Sequence, residues 1–364
     1  MMNPRLLECA VSVRMTCCRA GLAGASSYVP VVSDGSNQEP TLTLEADASA
    51  QKAADVVAAY MESNRATPGS VSLGDHSIVI RDPATLNRAS GRMSGVVTVI
   101  TGGARGFGRG IAQKLASEGA LVAITDVNDD DGQSFAADLE KQYGAGAAIY
   151  VHADVTDLTG LREACSRTLA AFGGIDVFIA NAGILIAGSL EEMEETSFDA
   201  VNAVNYKGFF LSTKAVAKWM KLQHEYNSDH FMDIVQINSK SGLVGSSRNF
   251  AYAGSKFGCI GLVQSFAIEL VDHNIKVNAV CPGNYFDGPL WSDPDKGLFV
   301  QYLNAGKVPG AKTVEDVKAY YASRVPMGRG CAPEDIATAI MYLRDQKYET
   351  GQALPVTGGQ EMLS

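Results

Sequence analysis

From Gly95 onward the chain is a series of short apolar runs separated by longer stretches with helical spacing. Val96, Val97, Val99 and Ile100 open the series, and LVAIT (121–125), AIYVHA (148–153), DVFIAN (176–181), DIVQIN (233–238) and IKVNAVCP (275–282) continue it. The runs are continuous rather than alternating, which is how strands buried on both faces read. Between them, 108–118, 159–172 and 197–223 place apolar residues at helical intervals. Strands alternating with helices imply right-handed crossovers and helices on both sides of a parallel sheet. Residues 95–364 are therefore expected to form one α/β domain, a Rossmann-type doubly wound parallel sheet in three layers, with 275–282 as its last strand.

Residues 1–94 predict much less. They read as a largely irregular extension with one helix at 49–64 (SAQKAADVVAAYMESN). Residues 31–48 are polar and suggest loop; Pro68, Gly69, Gly74, Pro83 and Gly91 suggest turns and linker. The first thirty residues carry Arg5, Arg14 and Arg19 against the single acid Glu8, the Arg-rich, acid-poor style of an organelle presequence. No tidy cleavage site follows, and a fused or mistranslated start, or a truncated upstream piece, fits equally. No chemistry-bearing cluster precedes residue 95, where His76 is the one histidine.

Composition narrows the class. Of 364 residues, 46% are apolar and 19% charged, which excludes a disordered or collagen-like chain. The net charge of -10, from 30 basic and 40 acidic residues, leans against a nucleic-acid partner. No apolar run of about eighteen residues suggests a membrane span. Cys9, Cys17, Cys18, Cys165, Cys259, Cys281 and Cys331 are scattered, giving neither a disulfide framework nor a metal-binding pattern. A reducing compartment, the cytoplasm, is expected.

The first strand runs into TGGARGFG. Gly102, Gly106 and Gly108 let the backbone turn tightly and approach a pyrophosphate, which the following helix would meet with its free N–H groups. The strand before and helix after give this glycine pattern its weight. The second strand ends at Asp126, at about the distance expected for the acid that binds the adenosine ribose. A carboxylate there repels the 2′-phosphate of NADP and favours NAD; Arg105, in the glycine loop, pulls the other way. Asp154 ends the third strand and can bond the adenine edge or cap a helix.

Tyr252 and Lys256 stand at i and i+4, on one helical face. A phenol, ordinarily ionising near about pH 10, is a poor proton carrier near neutrality. An ammonium one turn away stabilises its phenolate and makes it a usable acid/base. Ser239, at the end of a strand, can polarise the same substrate oxygen.

With TGGARGFG at 101, DV at 126, ADV at 153, NAG at 181, Ser239 and YAGSK at 252, the chain resembles the short-chain dehydrogenase/reductase family over essentially all of 95–364. The resemblance implies a catalytic set of Asn205, Ser239, Tyr252 and Lys256. It implies a dinucleotide held by Thr101, Gly102, Arg105, Gly106, Phe107, Gly108, Asp126, Asp154, Val155, Asn181, Ala182, Gly183, Tyr252, Lys256, Pro282, Gly283 and Tyr285. Lys256 would hold the nicotinamide ribose and, through water and the Asn205 backbone, a proton relay. Ala180 stands where a second asparagine is frequent.

The stretch 284–330 reads as a partly helical substrate lid, with helices near 297–305 and 313–323. It carries Lys296, Lys307, Lys312, Lys318, Arg324 and Arg329, most of them readable as surface charge. Lys240 beside Ser239, and Arg248, add cations for an anionic substrate group. The segments QINSKSG, PGN, GPLW, RVPMGRGC and TGQALPVTGGQEM are similar to the sorbitol-6-phosphate 2-dehydrogenases of the family. That resemblance implies NAD-dependent oxidation of sorbitol 6-phosphate to fructose 6-phosphate, with Ser239, Lys240, Asn284 and Asp287 as substrate ligands. Alternatives are a reductase of ketones or 3-oxoacyl thioesters, and a dinucleotide-binding regulatory protein without turnover. Apolar residues on several faces of 197–223 and 251–271, and the family resemblance, suggest a homodimer or homotetramer.

Overall fold

The computed structural model describes residues 3–19, 29–34 and 42–362. The expectation of an irregular extension is corrected by the first eighty-odd residues. They form α1 (Pro4–Arg19), β1 (Val29–Asp34), β2 (Leu42–Leu44), α2 (Ala50–Asn64), β3 (Ser70–Leu73), β4 (His76–Arg81) and the single turn α3 (Pro83–Leu86). The strands make a four-stranded sheet in the order β1-β4-β3-β2, with β2 and β3 parallel and the other pairs antiparallel. The helix expected at 49–64 is α2, capped by Ser49, whose hydroxyl accepts from the Lys52 N–H at 3.1 Å. The loop expected over 31–48 takes in the end of β1, residues 31–34, and all of β2; residues 35–41 of it, and 20–28 of the Arg-rich start, lie outside the described residues.

These elements hold because α1 is apolar on two sides. Leu6, Cys9 and Val13 pack with Val57 and Met61 of α2 and with Val71, Ile78 and Ile80 of the sheet. Leu7, Val11 and Met15 enter the larger core beside Phe172, Trp219 and Met220. Arg14, 2% exposed, crosses the same interface and donates to both oxygens of Asp176 at 2.9 and 2.6 Å. Asp176 also accepts from the Val97 N–H at 2.8 Å and from His230 Nε2 at 2.9 Å. Burial pushes the Asp176 carboxyl up, but Arg14 and His230 more than reverse this and hold it well below the usual carboxylate range.

The remainder alternates strand and helix: β5 (Val97–Thr101), α4 (Gly106–Ser117), β6 (Leu121–Asp126), α5 (Asp129–Tyr143), β7 (Ala148–His152), α6 (Leu158–Phe172) and β8 (Val177–Ala180). Then come α7 (Glu195–Asn202), α8 (Gly208–Tyr226), β9 (Met232–Ile237), α9 (Phe250–Leu270) and β10 (Ile275–Pro282). The chain ends with α10 (Pro289–Ser292), α11 (Leu298–Asn304), α12 (Val314–Ser323), α13 (Pro333–Asp345) and β11 (Ala353–Val356). The seven strands are all parallel, in the order β7-β6-β5-β8-β9-β10-β11. β10 is thus not the last strand. β11 pairs with it, and its sequence ALPV hid it, being four residues long with Pro355 inside.

Successive strand residues feed opposite cores. Val97, Val99, Phe178, Ile234 and Val277 face α6 and α8, while Ile100, Val122, Ile179, Val235 and Val280 face α4 and α13. The strand order reverses direction between β5 and β8, which opens a crevice at their carboxyl ends. Over that crevice the lid forms its own small core of Phe286, Trp291, Leu298, Phe299, Tyr302, Val317 and Val325. Its helices α11 and α12 fall where the sequence placed them. No helix among the described residues is long and apolar enough to cross a membrane.

Candidate active site

A cavity of about 610 Å³ lies at the carboxyl ends of β5, β6, β8, β9 and β10, with the lid as its far wall. On the β5–β6 side its wall is mostly main chain. Gly102 turns the chain at φ +62°, where a Cβ would stand 2.9 Å from Ala182 Cα. At Gly108 a Cβ would collide with the Gly102 carbonyl, so α4 can start this close to β5 only with glycine there. The N-terminal residues of α4, Gly106 and Phe107, line the cavity, and the N-cap residue Arg105 supplies no side-chain cap. The free N–H groups of that first turn suit an anionic diphosphate.

Several expected ligands shape this wall from behind. Thr101 is buried, and its hydroxyl accepts from the Asn181 and Ala182 N–H groups at 3.1 Å each, so it ties β5 to β8 rather than facing a ligand. Gly108 likewise stays behind the wall. Asn181 lines the cavity, but its amide donates to the Thr101 and Gly102 carbonyls at 2.9 Å. Ala182, Gly183, Val155, Pro282 and Gly283 do line it, and the Phe107 and Tyr285 rings pack at 4.8 Å at its edge.

Asp126 is also in the wall, held by the Ala104 N–H at 3.0 Å and the Asn128 N–H at 3.1 Å. Arg105, mostly exposed, is paired with Asp131. Asp154 lines the cavity and is not a helix cap: it accepts from Thr156 N–H and Oγ1 at 2.8 Å each, while Asp157 caps α6.

On the β9 side stand the catalytic candidates. Ser239, Tyr252 and Lys256 all line the cavity. Lys256, 3% exposed, donates to the Ile237 carbonyl at 2.7 Å, and its Nζ sits 5.6 Å from the Tyr252 ring centre. The Ser239 hydroxyl accepts from the Ser241 N–H at 3.1 Å. Asn205 is buried in a π-helical turn, Ala203–Lys207, between α7 and α8. Its amide accepts from Ile184 N–H at 2.8 Å and donates to Ile184 O at 2.9 Å and Ser255 Oγ at 3.1 Å, so the side chain holds this turn in shape. Its carbonyl accepts from Cys259 Sγ at 3.3 Å.

Of the expected substrate ligands, Lys240 and Asn284 line the cavity; the Asn284 Nδ2 is buried without a hydrogen-bond partner. Lys240 faces Glu361 at 3.9 Å. Asp287 is a correction: it is exposed and outside the cavity wall, because Gly288 and Pro289 turn the chain into α10 just after it. Sequence reasoning missed Asn249, Tyr302 and Tyr321, and did not single out Lys307 among the lid cations; all four line the cavity. Only proximity of Asn249 to Tyr252 offered a signal; the others depend on how the lid folds back.

Residues 96–291 match the profile of the short chain dehydrogenase family, and the chain belongs to that family: it is an oxidoreductase that uses a nicotinamide dinucleotide. It is 33% identical to the sorbitol-6-phosphate 2-dehydrogenase of Escherichia coli K12 over 73% of this chain and 98% of that protein. Among solved structures it resembles the sorbitol-6-phosphate 2-dehydrogenase of Erwinia amylovora, at a TM-score of 0.67 and 33% identity, covering 73% of this chain and all of the other. It also resembles the 3-ketoacyl-(acyl-carrier-protein) reductase of Brucella melitensis complexed with NADH, at 0.62 and 26% identity, covering 74% and 99%.

Proposed function

We propose that the protein is an NAD-dependent dehydrogenase of a polyol phosphate, oxidising sorbitol 6-phosphate to fructose 6-phosphate. The observation that carries this reading is the meeting of Ser239, Tyr252 and Lys256 with Lys240 in one cavity beside the glycine-rich wall. The names of its relatives in Escherichia coli and Erwinia amylovora support the substrate.

The uncapped start of α4 suits the diphosphate, and Asp126, placed at the edge of the same wall, suits the ribose hydroxyls of NAD. Arg105, the cation that lines this same edge, has its Nε turned toward Asp131. When bound, the nicotinamide supplies the acceptor or donor of the hydride. Ser239 holds the substrate oxygen. Tyr252, as phenolate, takes the hydroxyl proton while the neighbouring C–H bond breaks. Lys256 keeps the phenolate stabilised; one of its donors is spent on Ile237, which fixes the ammonium, and the others remain for a ribose hydroxyl or water. Asn205 keeps the π turn that faces this end of α9. In the reverse direction Tyr252 returns the proton to the carbonyl oxygen.

The protein acts as a homodimer or homotetramer in this reading, supported by Phe210, Phe257 and Ile268, exposed apolar residues on α8 and α9. Sedimentation as a stable monomer would contradict that. The function is tested by following NADH absorbance with hexitol phosphates, free polyols and a 3-oxoacyl thioester. Turnover of hexitol phosphates with NAD is expected; turnover of the thioester alone would replace the reading with the reductase one, which the Brucella melitensis neighbour represents.

A further inference from the structure

We propose that Lys240 and Lys307 form a two-ammonium subsite that binds the phosphate monoester end of the substrate, an assignment that rests on the polyol-phosphate reading above. The two lysines come from different parts of the fold. Lys240 directly follows Ser239, in the short turn after β9, so its backbone is within about 3.8 Å of the residue that holds the reacting oxygen. Lys307 comes from the loop after α11, in the lid, and lines the same cavity.

Lys307 is held in place by neutral groups. Its Nζ lies 4.1 Å from the centre of the Tyr302 ring. With the Asn249 amide turned to satisfy its neighbours, Asn249 Oδ1 accepts from Lys307 Nζ at 3.1 Å and from the Tyr302 hydroxyl at 2.6 Å, while Nδ2 donates to Arg248 O at 2.8 Å. None of these neutralises the ammonium. The charges acting on it are two further cations, Lys240 and Arg248. Each of those has a carboxylate at ion-pair distance, Glu361 at 3.9 Å from Lys240 and Glu192 at 3.3 Å from Arg248. Lys307 has none within ion-pair distance among the described residues.

Three cations therefore gather against two carboxylates at the substrate end of a chain whose net charge is -10. Burial, then Lys240 and Arg248, bring the Lys307 ammonium down to about 8, and burial also lowers Lys240 although Glu361 opposes it. Half-buried like charges repel and are poorly solvated, and a dianion relieves both costs at once. Trp291, Tyr302 and Tyr321 line the cavity and give this end of it an aromatic wall.

The test compares kcat/KM for sorbitol 6-phosphate with that for sorbitol, both with NAD, in the wild type and in Lys307→Gln, Lys240→Gln and Lys307→Arg. The ratio of phosphorylated to free polyol should fall roughly ten- to hundredfold in each glutamine variant, the value of a charged hydrogen bond, and recover most of this in Lys307→Arg. A wild type that prefers the phosphate, with glutamine variants that keep the full preference, would overturn the subsite and leave the polyol-phosphate reading standing. A wild type that turns over no hexitol phosphate would overturn that reading instead. The subsite is then judged by calorimetry of the NADH-loaded enzyme with inorganic phosphate: weaker binding to Lys307→Gln supports it, and equal binding overturns it. Preference for a hexonate carboxylate over the phosphate would overturn the dianion assignment.

Discussion

The two halves of the cleft are made of different material. On the β5–β6 side the wall is main chain, and its side chains are largely spent on the protein itself: Thr101 and Asn181 lash β5 to β8, and Asp126 is braced by two backbone N–H groups. On the lid side the wall is long side chains, Lys240, Lys307, Tyr302, Tyr321 and Trp291, several carried by a small core separate from the sheet. The first half offers a fixed shape that tolerates few residue types. The second can exchange a side chain without disturbing the sheet. In the proposed mechanism the first half, with Tyr252 and Lys256, serves whatever is oxidised, and the second decides what is oxidised.

The sharpest way to break this division is Tyr252→Phe. It should lower kcat/KM by about 10²–10⁴ for every substrate alike, because it removes the proton carrier and not a recognition contact. A loss confined to one substrate, in steady-state assays of several, would contradict the division. Arg14→Met touches neither half. It strands the Asp176 carboxylate in the interface and should cost about 3–5 kcal/mol of stability, read by urea unfolding, with the substrate ratio untouched. The same pair gives the sign of an acid effect. Since the folded state holds Asp176 below its unfolded value, its stabilisation is present above the ordinary carboxylate range and is lost as pH falls through and below it. The stability gap between wild type and Arg14→Met should accordingly narrow in acid.

Asp126→Ala is a smaller change in the first half. It should shift the NAD to NADP preference by roughly ten- to hundredfold, the worth of charged hydrogen bonds to the ribose, while leaving the substrate ratio alone. An unchanged cofactor ratio would mean Arg105 or another group decides. The smallest effect belongs to the second half. Lys307 faces Lys240 and Arg248 as charges and Tyr302 and Asn249 as neutral partners, and burial with the two cations brings its ammonium down to about 8. Competitive inhibition by sulfate, a dianion throughout, should weaken several-fold as pH rises through that value, as expected when a charged hydrogen bond becomes a neutral one. The step should vanish in Lys307→Gln.

The same contrast explains what could be read from sequence. The cofactor half was legible because local rules govern it: a strand, a glycine turn and a helix in sequence, an acid at the next strand end, and Tyr252 and Lys256 one helical turn apart. Thr101 and Gly108 show the limit, since spacing alone does not tell a residue that faces a ligand from one that braces the wall. The substrate half depends on how 284–330 folds back, so Asp287 was expected inside and lies outside, while Asn249 and Tyr302 were overlooked. The first eighty-odd residues were misjudged for a third reason. Strands as short as SVSL carry no readable period, and α1, apolar on two faces with a buried Arg14, does not show the one-sided stripe of a surface helix. The π turn around Asn205 has no sequence period of its own, and it joined α7 and α8 into one expected helix.

The most direct measurement follows one atom. Sorbitol 6-phosphate carrying deuterium at C2 is incubated with the enzyme and NAD, and both products are analysed. Deuterium in the reduced nicotinamide together with fructose 6-phosphate is the predicted result. Deuterium retained in the polyol, with no ketose phosphate formed, would contradict it.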